Sequence, residues 1–165
     1  MTVSNADMLS MARELPIPVP WDRDVFIQNL SERRGRPITL VPIETAALAD
    51  SPCGLWLACD DDDLILHASG TSAYHIDQIV RHEVGHMVLG HGRSGERGSD
   101  RAHVRELCHQ ILPDLDPDAV RTLLGRTDYS SGQEREAETF ASILMLAAAE
   151  VADQRSMVRS VFFRR

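Results

Sequence analysis

The stretch Tyr74-His75-Ile76-Asp77-Gln78-Ile79-Val80-Arg81-His82-Glu83-Val84-Gly85-His86-Met87-Val88-Leu89 decides how this chain is read. Ile76, Ile79, Val80, Val84, Met87 and Val88 recur at helical spacings, so the segment predicts one amphipathic helix. Thr71 or Ser72 can cap its start and Gly90 can end it. On that helix His82 and His86 share a face, about 40° apart around the axis. Both imidazoles can therefore reach one metal ion from the same side. Glu83 follows the first histidine and can reach a water held there. This is the H-E-x-x-H arrangement of zinc hydrolases, with Glu83 as general base. Two histidines and a glutamate on a mostly apolar helix are costly to bury without a partner, and a metal supplies one. The plain alternative is a partly exposed helix with surface histidines.

Composition frames that motif. The chain has 165 residues, 43% of them hydrophobic, which suits one folded domain with a real core. Its formal net charge of -8 disfavours direct nucleic-acid binding, because phosphate contacts need a basic surface. Every basic side chain is Arg and none is Lys, which reads as codon bias of a GC-rich genome. No stretch approaches the roughly 20 apolar residues of a membrane-spanning helix, so no stable membrane insertion is expected. Met1 to Glu14 shows no basic region followed by an apolar run, so no signal peptide is expected. Cys53, Cys59 and Cys108 cannot all pair and match no zinc knuckle, which fits reduced cysteines in a cytoplasm.

Outward from the helix, residues 1–20 read as a mobile or loosely docked arm, with Pro16, Pro18 and Pro20 favouring an extended approach. Residues 21–165 read as a single domain. Asp22 can cap a helix running to about Arg34, ended by Gly35. Pro37 to Ile43, Gly54 to Cys59 and Leu64 to Ala68 read as strands, with Asp60 to Asp63 as a solvated turn rather than a calcium loop. Gly92 to Gly98 reads as a polar loop and Asp100 to Leu112 as a helix. Asp116-Pro117-Asp118 reads as the start of another helix, stopped by Gly125. A long helix is expected from about Gln133 to the Ala-rich stretch near Glu150. The end, Val161-Phe162-Phe163-Arg164-Arg165, reads as a segment that packs back or frays.

A catalytic zinc site takes three protein ligands and an open position. His91 is the nearest candidate, but on a continued helix it would point about 180° away from His82. It reads instead as a helix-end histidine meeting exposed carbonyls. Downstream, Glu134 and Glu138 share a face, with Ala137 and Ala141 beside them to allow close helix packing. Glu134 can bind the metal, and Glu138, one turn on, can accept a hydrogen bond from a ligand imidazole and fix its tautomer. Glu136, about 200° from Glu134, should face elsewhere. Two capping boxes compete here. Ser131-x-x-Glu134 would use Glu134 to satisfy the helix start, whereas Ser130-x-x-Gln133 would free it.

With His82-Glu83-Val84-Gly85-His86 and a distal Glu-x-x-Ala-x-x-Phe-Ala at Glu134 to Ala141, the chain resembles the ImmA/IrrE family of small bacterial metallopeptidases from about Trp21 to Ala149. The resemblance implies an α+β, zincin-like minimal metallopeptidase similar to a thermolysin-type (gluzincin) core. That core has a small three-stranded antiparallel sheet, an active-site helix and a helical C-terminal half. It implies one Zn2+ held by His82, His86 and Glu134, with Glu83 catalytic. Glu138 stands where the family usually has Asn or Asp. Ile143-Leu144-Met145-Leu146 lacks the proline of the family's Leu-Leu-Met-Pro, so the helix can run on. The implied function is a cytoplasmic zinc endopeptidase cleaving a helix-turn-helix transcriptional repressor or similar regulatory protein.

The rival reading is a catalytically silent, zinc-stabilised interaction module that binds a regulator. The retained Glu83 argues against it, since a structural site needs no base and usually fills its fourth position with Cys or His. For the oxyanion, His75 lies on the same stripe as His82 but reads as a polar helix-start residue, and Tyr129 is a weaker candidate. His103 and His109 read as solvated. A substrate strand could add to the sheet edge, with Leu64 to Ala68 the expected edge. No motif speaks to oligomeric state.

Overall fold

The computed structural model describes residues 2–44, 54–91, 101–124 and 129–162. Cys53, the Gly92 to Gly98 loop, the Gly125 stop and the last three residues lie outside the described residues. Helix α1 spans Asn5–Glu14 and α2 spans Arg23–Arg34. Strands β1 (Ile38–Ile43), β2 (Leu55–Cys59) and β3 (Asp63–Ala68) follow, then α3 (Ala73–Leu89) and α4 (Arg101–Ile111). A single 3-10 turn, Pro117–Ala119, leads into β4 (Val120–Leu124), and α5 runs over Ser131–Phe162.

The sheet has four strands in the order β1-β3-β2-β4. β2 and β3 form an antiparallel hairpin and β4 pairs antiparallel to β2, while β1 runs parallel to β3. The sheet is thus mixed and four-stranded, not the three-stranded antiparallel sheet expected. The difference arises because the hairpin folds with β3 inward. β3 then lies between β1 and β2, and β4 pairs on the far side of β2 as the second edge. The expectation that Leu64 to Ala68 forms an edge fails for the same reason: the edges are β1 and β4.

Alternation along the strands separates two cores. Ile38, Trp56, Ile65 and Leu124 face a core shared with Met8, Phe26, Val80, Val84 and Phe140 from the helices. Leu55, Leu57, Leu64, Leu66 and Val120 face the other side, where α4 covers them with Val104 and Cys108. Every residue of β3 is buried, as a central strand covered on both faces must be. Cys59 and Cys108 are buried free thiols.

β4 replaces the helix expected after Asp116. Asp116 does cap a turn, accepting from the Asp118 N–H, but the turn ends at Ala119. Val120, Leu123 and Leu124 fit helical spacing and a buried strand equally well, and pairing with β2 decides between them. The residues 1–20 expected as an arm contain α1. It is capped by Ser4, and it buries Met8 and Ala12 against α5. Arg13 binds Glu150 across that contact. The Asp60 to Asp63 run splits. Asp63 starts β3 and is 1% exposed, and it accepts from Arg34, Arg36 and Trp56 Nε1. No described helix is long and apolar enough to cross a membrane.

Candidate metal centre

α3 begins and ends as its sequence dictates. Ser72 accepts from the His75 N–H at the start. At the end Gly90 takes φ 73°, a left-handed conformation that glycine adopts without a Cβ penalty. The His91 N–H returns to the His86 carbonyl at 3.0 Å and the Gly90 N–H to Met87 at 3.3 Å. This double closure is a Schellman motif.

α5 begins with the Ser130 and Gln133 capping box. Gln133 N–H donates to Ser130 Oγ at 3.2 Å and Ser130 N–H donates to Gln133 Oε1 at 3.0 Å. The alternative box is excluded and Glu134 is released to face α3. The two helices touch closely because both are small at the contact. A Cβ on Gly85 would lie 3.2 Å from the Ala137 carbonyl oxygen and 3.3 Å from its Cα. Ala137, Phe140, Leu144 and Ala147 form the buried stripe of α5. Glu134 sits one turn before Ala137, and so beside the two histidines.

The result is a cluster of three donors. His82 Nε2 and His86 Nε2 are 3.1 Å apart. One oxygen of Glu134 is 3.3 Å from His86 Nε2, and the other is 3.6 Å from His82 Nε2. One ligand atom from each of His82, His86 and Glu134 lies within 4.8 Å of the others. Two ligands on a tetrahedral zinc with bonds of about 2.05 Å stand roughly 3.3–3.4 Å apart. The 3.1 Å histidine pair and the 3.3 Å contact of one Glu134 oxygen with His86 lie near that value, while the 3.6 Å contact with His82 is made by the other oxygen. Two imidazoles and a carboxylate are also a donor set that suits zinc. His86 is fully buried, whereas the side chains of His82 and Glu134 are 12% and 13% exposed, so one side of the cluster opens outward. A cavity of about 320 Å3 begins at His82, between α3 and α5, with Tyr74, Arg81, Glu138 and Met145 in its walls.

The electrostatics are those of a site short of positive charge. Burial, followed by the neighbouring His82 and His91, pushes the His86 pKa down to about 2, so its ring is neutral at ordinary pH. Burial, then the Glu134 charge, raises Glu83 well above the usual carboxylate range. Among the described residues Glu83 Oε2 has no hydrogen-bond partner. Glu83 Oε1 lies 3.4 Å from where a Cβ on Gly54 would stand.

The remaining assignments differ from expectation. His91 does not point away. α3 stops, Gly90 reverses the chain, and His91 Nδ1 lies 2.9 Å from His86 Nδ1. Glu136 does not face elsewhere: one of its oxygens is 3.0 Å from His91 Nε2. The bond to an imidazole expected of Glu138 is thus made by Glu136, to a histidine behind the donor cluster. Among the described residues no imidazole bonds Glu138, which is exposed and lines the cavity. The Tyr129 ring stacks on His86, with centroids 3.6 Å apart and planes 11° apart, and so fixes the plane of that ring. His75, His103 and His109 are exposed. His91 and Glu136 could have been found only by allowing for the helix stop at Gly90.

A scan against protein-family models matches none, and no curated protein and no solved structure matches the chain.

Proposed function

We propose that this chain is a zinc-dependent endopeptidase. The observation that carries the reading is the cluster of His82, His86 and Glu134, with donor separations near those of a tetrahedral zinc site, beside a buried Glu83. His82, His86 and Glu134 would hold the ion. When bound, zinc supplies Lewis acidity that polarises a carbonyl and acidifies a water. Glu83 takes the proton of the attacking water and passes it to the leaving amine. The cavity at His82 gives an extended polypeptide access, with Arg81 and Glu138 offering one charge of each sign.

The resemblance to the ImmA/IrrE family supports the zincin-like assignment. It also points to a substrate class: a bacterial helix-turn-helix repressor or similar regulator, cut in the cytoplasm. The four-stranded mixed sheet with β3 at its centre leaves β1 and β4 as the edges a substrate strand can join.

The test combines metal content with cleavage. Purified wild type should hold one zinc per chain and cut unfolded casein or a helix-turn-helix repressor offered as substrate. His82→Ala and Glu134→Ala should lose the metal. Glu83→Gln should keep it and lose at least about 100-fold in cleavage rate. Zinc bound with full activity in Glu83→Gln would refute the assignment of the base. Zinc bound with no cleavage by wild type of either protein would favour the interaction module.

A further inference from the structure

Behind the donor cluster runs a line of polar groups that the zinc chemistry does not itself use. Glu136 Oε2 lies 3.0 Å from His91 Nε2, and His91 Nδ1 lies 2.9 Å from His86 Nδ1. At the far end the Val3 main-chain N–H donates to Glu136 Oε1 at 3.0 Å. These groups come from three distant segments: the lead into α1, the second residue after α3, and the first turns of α5. His86 and His91 are both buried, at 0% and 5% exposure.

We propose that Glu136 and His91, held in register by the Val3 amide, are positioning residues that fix the tautomer of His86. The argument is a count of protons. A carboxylate only accepts, so His91 Nε2 carries the hydrogen that meets Glu136. A neutral His91 then has a bare Nδ1. The contact from His86 Nδ1 must be the donor in that pair, so His86 carries its proton on Nδ1. Its Nε2 is left as a lone pair, facing His82 and Glu134. Free imidazole side chains prefer the opposite tautomer, and a metal can bind Nε2 only when that nitrogen is bare. The chain from Val3 through Glu136 and His91 thus prepares one ligand before any metal arrives. Stacking by Tyr129 fixes the plane of the same ring. The N-terminal segment, remote in sequence from the cluster, becomes part of what sets it.

The tautomer itself is independent of the proposed peptidase activity; its consequence for metal affinity rests on the zinc reading. The experiment is nitrogen-15 NMR of histidine-labelled, metal-free protein, followed by zinc competition titrations. In wild type His86 should be protonated on Nδ1. In His91→Leu and Glu136→Ala that signature should move towards Nε2–H, and zinc affinity should fall about 10- to 100-fold. His91→Asn, whose side-chain oxygen can accept from His86, should recover part of the loss. If His91→Leu does not fold, the wild-type spectrum and His91→Asn still decide. His86 protonated on Nε2 in wild type, with His91 doubly protonated, would overturn the proposal. So would an unchanged signature and affinity in a folded His91→Leu. A wild type that binds no zinc but shows Nδ1–H at His86 would sink the peptidase reading and leave the positioning pair standing.

Discussion

Glu83→Gln should make the metal-free protein more stable. Glu83 is 3% exposed, and burial together with the charge of Glu134 raises its pKa well above that of a free carboxyl. Because the folded value is raised, the unfolded chain releases this proton first. The contribution of Glu83 is therefore fully present below about pH 4.5 and is lost as pH rises towards the folded value. His86 has the opposite sign. Its folded pKa, about 2, lies below the unfolded value, so its contribution is full above about pH 6.5 and is lost as pH falls. Each slope is about 1.4 kcal/mol per pH unit. Between about pH 4.5 and 6.5 the two cancel in wild type. The glutamine variant keeps only the histidine slope, and all other groups titrate alike in both proteins. The gap between variant and wild type should widen with pH above the unfolded value, by about 1.4 kcal/mol per pH unit for as long as the folded carboxyl keeps its proton. For a chain of this size each such unit is a difference of roughly 3–6 °C in melting temperature. Urea unfolding of both proteins without metal, at pH 5, 6 and 7, measures it. A gap that stays flat with pH, or a variant less stable at pH 7, refutes the burial argument. Zinc should close the gap, because a dication beside the carboxylate offsets its repulsion from Glu134.

Further outcomes follow from the packing. Gly54→Ala places a Cβ 2.6 Å from Ile79 Cγ2 and 3.0 Å from the Leu66 carbonyl, at a φ of +111°. It should cost at least about 2 kcal/mol in chemical denaturation, and an unchanged midpoint would show that the chain takes another path there. Gly85→Ala should improve helix propensity yet push α5 away from α3, because backbone atoms of Ala137 stand in the way. Zinc affinity should fall more than stability, and equal affinity would deny that this contact places Glu134. Asp63→Ala leaves Arg34, Arg36 and Trp56 Nε1 without their shared acceptor. It should cost about 3 kcal/mol by thermal unfolding. Chelation should lower the melting temperature of purified wild type, and a zinc concentration 100-fold above its dissociation constant should restore about 2.7 kcal/mol.

The parts of this fold legible in the sequence were those whose causes are local. Asp22, Ser72, Gly35 and Gly90 cap where their side chains and backbone freedom say they should. The His82 helix and the shared face of His82 and His86 follow from angles on a single helix, whereas Glu134 reaches them only through the packing of α5 on α3. What was not legible depends on which segments meet. Strand order cannot be read from strands whose alternation is satisfied in either sheet position. Val120 to Leu124 offers a pattern shared by helix and strand, and only β2 breaks the tie. Glu136 was placed wrongly because its angle was measured from Glu134, as though only one face of α5 met the site. In fact α5 presents two sides, Glu134 to the donors and Glu136 to His91, since His91 folds back beside it. Pro16, Pro18 and Pro20 point to an extended arm, but they lie after α1, whose Met8 and Ala12 are buried only because α5 is there to cover them.

The turn at Gly90 also sets a counting rule. His91 reaches His86 only because three residues separate His86 from the left-handed glycine and none separates that glycine from His91. An inserted residue before Gly90 would rotate the closure by about 100° and swing His91 off His86. Chains that share this support should therefore show a gapless His-Glu-x-x-His-x-x-x-Gly-His, joined to a distant Glu-x-Glu. That ten-residue word is longer and rarer than the bare five-residue motif, and it can be sought in any genome without a structure.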